Sequence, residues 1–149
     1  MTKIRIALIA ICVAVSAKSL TAADPNQVRI MVTVTNLKTM KGELRCALFR
    51  SAEGFPRKPE HAALRTVGVI ERKIGHCVFP AVPPGPAAIT VIHDENNNKK
   101  LDMRMGLIPT EGIGWSNNPK VSFGPPSFEQ ARFAVGTAPA TMTIQLNQR

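Results

Sequence analysis

Apolar and polar residues alternate along much of this chain, and a period of two marks strands with one buried face. Val28, Ile30, Val32 and Val34 alternate with Arg29, Met31, Thr33 and Thr35, which predicts a half-buried strand ending near Asn36. A second strand is expected over 44–49, just after Gly42. The segment 51–59, punctuated by Gly54, Pro56 and Pro59, reads as a loop, with one helical turn over 60–64. Two strand-like runs, 65–74 and 75–79, suit a hairpin turning at Gly75-His76. Pro83-Pro84-Gly85-Pro86 enforces a turn, and the apolar run 87–92 suits a central strand covered on both faces. The stretch 94–102 is polar and turn-rich, and 106–126, rich in glycine and proline, is expected to be an irregular surface loop. Ser127 and Gln130 have capping-box spacing for a short helix, with Phe128 and Phe133 tucked beneath it. A last strand alternates over 141–146. Six to eight short strands, one short helix and no internal repeat predict an all-β chain forming a single β-sandwich.

The first residues carry a different pattern. Lys3 and Arg5 precede an apolar run over 6–15, and a small-residue stretch ends at Ala22-Ala23. This order of charge, apolar core and small-residue exit predicts a signal peptide over 1–23 and a mature domain over 24–149, periplasmic or extracellular. An apolar run of about ten residues is too short to span a bilayer, where about 20 are needed. No integral membrane span is expected after cleavage. Cys12 falls inside that apolar run.

The chain carries a formal charge of +9, and three of its cations, Lys3, Arg5 and Lys18, lie in the leader. The remaining cations are scattered, and with no Tyr and one Trp there is little to stack on bases. A nucleic-acid partner is therefore not expected. Cys46 and Cys77 remain after cleavage, each on the apolar face of its strand, and an oxidising compartment favours a disulfide between them. Closing that loop is worth roughly 3 kcal/mol in the chain-entropy picture. His76 and Cys77 point to opposite faces of a strand, which argues against a shared metal.

Several stretches together resemble the DUF2141 family. They are Gly42-x-Leu44-x-Cys46-Ala47-Leu48-Phe49, Val82-Pro83-Pro84-Gly85, the run from Ile92 through His93-Asp94-Glu95-Asn96 to Asp102, the run from Gly106 through Gly112-Ile113-Gly114-Trp115-Ser116-Asn117-Asn118, and Pro125-Pro126-Ser127-Phe128-Glu129-Gln130-Ala131. The sequence departs from the family in Asn97-Asn98-Lys99, where Asn-Gly-Asn-Gly is usual, and in Pro86-Ala87, where Tyr-Ala is commoner. The resemblance implies an exported immunoglobulin-like or transthyretin-like β-sandwich. It brings no assigned activity.

Asp94, Asn96, Asn98 and Asp102 occupy positions one, three, five and nine of a turn-forming stretch, and Lys100 at seven offers its backbone carbonyl. Alternate oxygens in such a loop converge on Ca²⁺, which takes six to eight hard oxygen ligands. Lys99 stands where glycine normally relieves the turn, and Met105 replaces the usual bidentate glutamate at position twelve. Affinity is therefore expected in the weak extracellular range, ~10⁻⁴–10⁻³ M. The competing reading is a loop closed by its own Asp and Asn hydrogen bonds.

No catalytic residue stands out. Ser116 lacks the second glycine of a nucleophile elbow, and adjacent His93 and Asp94 on a strand end point apart. The chain reads as a non-catalytic binding or structural module of the cell envelope, with an envelope protein or glycan as partner. Trp115, Ser116, Asn117, Glu111 and His93 are its candidate binding residues. The alternative is a hydrolase-like enzyme using His93, Asp94 and Glu111.

Overall fold

The computed structural model describes residues 26–148; the expected leader and its cleavage site lie outside them. Among the described residues the strands are β1 (Val28–Thr35), β2 (Glu43–Phe49), β3 (Leu64–Glu71), β4 (Ile74–Val82), β5 (Gly85–Asp94), β6 (Met103–Arg104), β7 (Ile108–Pro109), β8 (Gly112–Trp115), β9 (Phe133–Val135) and β10 (Ala140–Gln145). One helix, α1 (Phe128–Ala131), precedes β9, and a 3-10 turn occupies Pro59–His61. The all-β class with one short helix is borne out. Seven strands run in the order β10-β1-β4-β3-β2-β5-β8, with β9 added to the start of β5, so the two expected layers form one sheet nearly closed into a barrel.

Two features turn the sheet through that curve. Strand β3 pairs with β2 through Gly68 and with β4 from Val69 onward, so it changes layers midway. At the other end, the backbone amides and carbonyls of Ile113 and Asn147 exchange bonds of 3.2 and 2.8 Å, joining the edge beyond β8 to the chain just past β10. That seam explains Gly112 and Gly114. A Cβ on Gly114 would sit 2.7 Å from Ile144 Cγ2 and 2.9 Å from the Gln145 carbonyl. The strand β8 therefore lies inside the stretch expected to be irregular, because glycines needed for close approach read as turn residues.

A second correction concerns the β3–β4 hairpin. It turns at Arg72-Lys73, both left-handed with φ of 51° and 63°, and not at Gly75-His76. Gly75 is a buried strand residue, packed against Leu44 and Val34. The predicted capping box is present: Gln130 N donates to Ser127 Oγ and Ser127 N donates to Gln130 Oε1.

The interior is filled by the inward faces of the strands, including Ile30, Val32, Leu44, Leu48, Phe79, Ile89, Val91 and Ile144. Cys46 and Cys77 lie in that interior as a disulfide pair, with Cα atoms 6.5 Å apart across the bend of β3. A second apolar cluster lies on the outside of the sheet, where Ala47, Phe49, Ala88, Ile113 and Trp115 group with Phe128 and Ala131 of α1. Phe55 stacks edge-on between Phe49 and Phe128 at centroid distances of 5.3 and 5.8 Å. Strand β5 thus has apolar neighbours on both faces, as its unbroken apolar run predicts.

The seam carries the first prediction. Gly114→Ala should destabilise the fold by about 2 kcal/mol in urea unfolding, since a well-packed site must shift to admit the methyl group. It should also speed amide exchange at Ile113 and Asn147 ahead of β1 and β4. Unchanged exchange at those two amides would contradict a barrel closed at this bridge.

Candidate functional site

The loops leaving β5 and surrounding β8 cover the outer face of the sheet, and most of the polar residues singled out from sequence hold those loops in place. Asp94 is fully buried at the end of β5; its Oδ1 accepts from Asn98 N at 3.0 Å and its Oδ2 from Lys99 N at 2.7 Å. A Cβ on Gly42 would collide with the Asp94 carbonyl, so the β1–β2 connection is pressed against the same point. Asn96 Oδ1 accepts from Asn98 N, and Asn98 Oδ1 from Lys100 N. Both asparagine amides donate to Asp102, at 2.7 and 2.9 Å. Lys99 takes φ of 66°, the left-handed turn expected at that position. The loop is closed by its own side chains, and among the described residues no three His, Cys, Asp or Glu side chains gather to hold a metal.

Glu111 fastens the two ends of the loop. Its Oε1 accepts from Glu95 N at 3.0 Å and its Oε2 from Asp102 N at 3.1 Å. Burial pushes its carboxyl above the usual range; the two amide bonds lower it, and the Asp102 and Asp94 charges raise it further.

His93 is also buried, with Nε2 2.8 Å from the Lys41 carbonyl and Nδ1 3.9 Å from Glu95. Ser116 donates to the Ala131 carbonyl at 2.6 Å and accepts from Ile89 N at 2.9 Å, fixing the chain after β8 to α1 and β5. Asn117 donates to the Arg132 carbonyl. Asn118, which the sequence singles out only as part of the family run, brackets β10 by donating to the Thr143 carbonyl and accepting from Gln145 N. The structure brings His93, Asp94 and Glu111 to one end of β5 and places Ser116 beyond the other end of β8, bonded beside Ile89.

Trp115 stands apart from this group. It lines a groove of about 840 Å³ over the outer face of β3, β2, β5 and β8. Two rows of cross-strand partners form the floor: Arg65, Ala47, Thr90 and Trp115, then Val67, Arg45, Ile92 and Ile113. The Asp94–Asp102 loop contributes Lys99, Lys100 and Leu101 to its wall, and 121–125 contribute Val121, Gly124 and Pro125. Among the described residues five cations line the groove, Arg45, Arg57, Arg65, Lys99 and Lys100, and no carboxylate does. Among the described residues Thr90 Oγ1 and Trp115 Nε1 are buried without a hydrogen-bond partner, as are Arg50 Nη1 and His93 Nδ1 away from the groove. Such atoms are uncommon and call for an explanation in each case. The sequence reading missed Thr90 and the arginines. The only available signal was cations alternating with small or apolar residues at 45, 47, 65 and 67, which also describes an ordinary solvated face.

Two predictions follow from these bonds. A raised carboxyl keeps its proton to higher pH in the fold than in the unfolded chain, so its contribution is complete at acid pH and is lost as pH rises through the folded value. The stability gap between the natural protein and Glu111→Gln should therefore shift against the natural protein as pH climbs just above the usual glutamate range, in metal-free buffer. A gap that is flat with pH would contradict the raised carboxyl. Thr90→Val removes a buried hydroxyl that has no partner and keeps the shape, so it should raise stability by about 1 kcal/mol in thermal unfolding. A loss of that size would mean that the hydroxyl is satisfied.

No helix among the described residues is long and apolar enough to cross a membrane. No curated protein and no solved structure matches the chain. The family profile for DUF2141, described as an uncharacterized protein conserved in bacteria, matches residues 32–143, from within β1 to within β10. Covering most of the chain and nearly all of the barrel, that match makes this protein a member of the DUF2141 family.

Proposed function

We propose that this protein works outside the cytoplasm as a non-catalytic binding module of the cell envelope, with the groove over β3, β2, β5 and β8 as its working surface. One observation carries the reading: Thr90 and Trp115 lie in the floor of a groove of about 840 Å³ with buried polar atoms that no protein group satisfies. Ligand sites are typically concavities of about 300–1,000 Å³ with a mostly apolar lining and a few placed polar groups. By contrast, the side chains a hydrolase would use are bonded to backbone: Asp94 and Glu111 to loop amides, His93 to the Lys41 carbonyl, and Ser116 to Ala131 and Ile89. Export rests on the leader pattern over 1–23, and the Cys46–Cys77 pair suits an oxidising compartment.

Weak calcium binding in the wall of that groove is a second reading, favoured by the winding of the Asp94–Asp102 loop. Asp94 takes the amides of the fifth and sixth loop residues, and the carboxylate of Asp102 meets the side chains of Asn96 and Asn98. Asp94, Asn96, Asn98, Asp102 and the Lys100 carbonyl would hold the ion, which would tighten the loop without taking part in chemistry.

Expression of the full chain in a bacterium, followed by fractionation, tests the compartment. A shortened, disulfide-bonded product outside the cytoplasm is expected, and a full-length product retained in the cytoplasm would overturn export. Thermal unfolding with Ca²⁺ and with chelator tests the second reading. A native-state ligand at a few times its Kd stabilises by about 1 kcal/mol, and that rise should vanish in Asp102→Ala. Coincident curves would leave the loop closed by hydrogen bonds alone.

A further inference from the structure

We infer that the groove takes a single alkyl chain ending in an acid group. This assignment rests on the groove being the working surface, and it adds the chemistry of the ligand. Charge gives the first half of the argument. Among the described residues five cations and no carboxylate line the groove, and of the five Arg45 is ion-paired with Glu43 at 2.6 Å. Arg65 lies one strand from Ala47 and two from Thr90 in the same cross-strand row. Adjacent strands are about 4.8 Å apart, so an acid group seated over the small Ala47 side chain lies within reach of the Arg65 guanidinium. Arginine presents a planar fork of donors that matches a carboxylate. Thr90 Oγ1 and Trp115 Nε1, buried without partners beneath that row, keep polar atoms close under the seat of the acid group.

Apolar surface gives the second half. Next to the polar row run Ile92 and Ile113, with Leu101 and Val121 packed against the same cluster. The lining of the groove includes Leu107, 81 % exposed, and Met103, 40 % exposed. Large apolar side chains left this open around a concavity mark a surface that another molecule covers. The apolar side chains of the lining are chiefly aliphatic, and Trp115 is almost wholly buried, so it presents no open ring face for stacking. That combination suits a flexible hydrocarbon chain better than a flat aromatic or a sugar.

Isothermal titration of the purified, disulfide-intact chain with dodecanoate and with dodecan-1-ol, each below its aggregation limit, tests the assignment. Dodecanoate should bind about ten-fold or more tightly than the alcohol, as one or two charge-assisted hydrogen bonds imply. Arg65→Glu should remove that preference, whereas Arg29→Glu, an equal change of charge at an exposed site on β1, should keep it. Both variants should unfold at nearly the natural temperature. Equal affinity for acid and alcohol would overturn the acid-headed ligand while leaving the groove as a binding surface. No binding of either probe to the folded chain would overturn both. Equal loss in the two variants would reduce the preference to overall charge and overturn the seat beside Arg65.

Discussion

A strand buried on both faces must be covered twice, and β5 imposes that requirement on the rest of the chain. Its inner face, with Ile89, Val91 and His93, is covered by the barrel interior, which the strands themselves supply. Its outer face, with Ala88, Thr90 and Ile92, has no second sheet against it. Cover comes instead from loops and from α1, and a loop that covers apolar surface must satisfy its own backbone polar groups. That need accounts for the polar residues around the site. Asp94 and Glu111 take four loop amides between them, Ser116 bonds α1 to β5, and Asn118 ties the chain after β8 to β10.

With the loops held by their own hydrogen bonds, the space beneath them becomes the informative part of the molecule. Loop cover does not fill the sheet face as a facing sheet would, and the groove is the volume left over. Its lining differs from a packing defect in two respects. A defect in a core is apolar and dry, whereas this space is lined by five cations and has two unpartnered polar atoms beneath its floor. A strip of aliphatic side chains beside the Arg65 guanidinium is the arrangement that an amphipathic acid complements.

The fold was legible wherever a strand has one dry face and one wet face. The alternation at 28–34 gives β1, Cys46 and Cys77 fall on inward faces as their spacing requires, and the unbroken run 87–92 gives the central strand. It was illegible where tertiary approach selects the residue. Gly112 and Gly114 look like loop residues, yet they are strand residues because Ile144 and Leu146 leave no room for a side chain. Arg72-Lys73 lacks any turn signature, yet it makes the hairpin because both flanking strands are held by other partners. The candidate site divided along similar lines. His93, Asp94, Glu111, Ser116 and Asn117 were conspicuous as residue types and serve the loops. Thr90, Arg45 and Arg65 were inconspicuous, because their joint position depends on a register across four strands that no local pattern encodes.

Trp115 is the chain's only tryptophan, so its indole N–H gives a single nuclear magnetic resonance signal that reports on the floor of the groove. Following that signal while dodecanoate is added tests most directly whether this space is a binding site. In the free protein the N–H should resonate where indoles without a hydrogen bond do and exchange slowly with water. On saturation it should shift, together with the amides of Thr90, Ile92 and Ile113, as the ligand fills the groove. An indole signal and floor amides that stay in place through saturating dodecanoate would contradict the groove as the working surface of this protein.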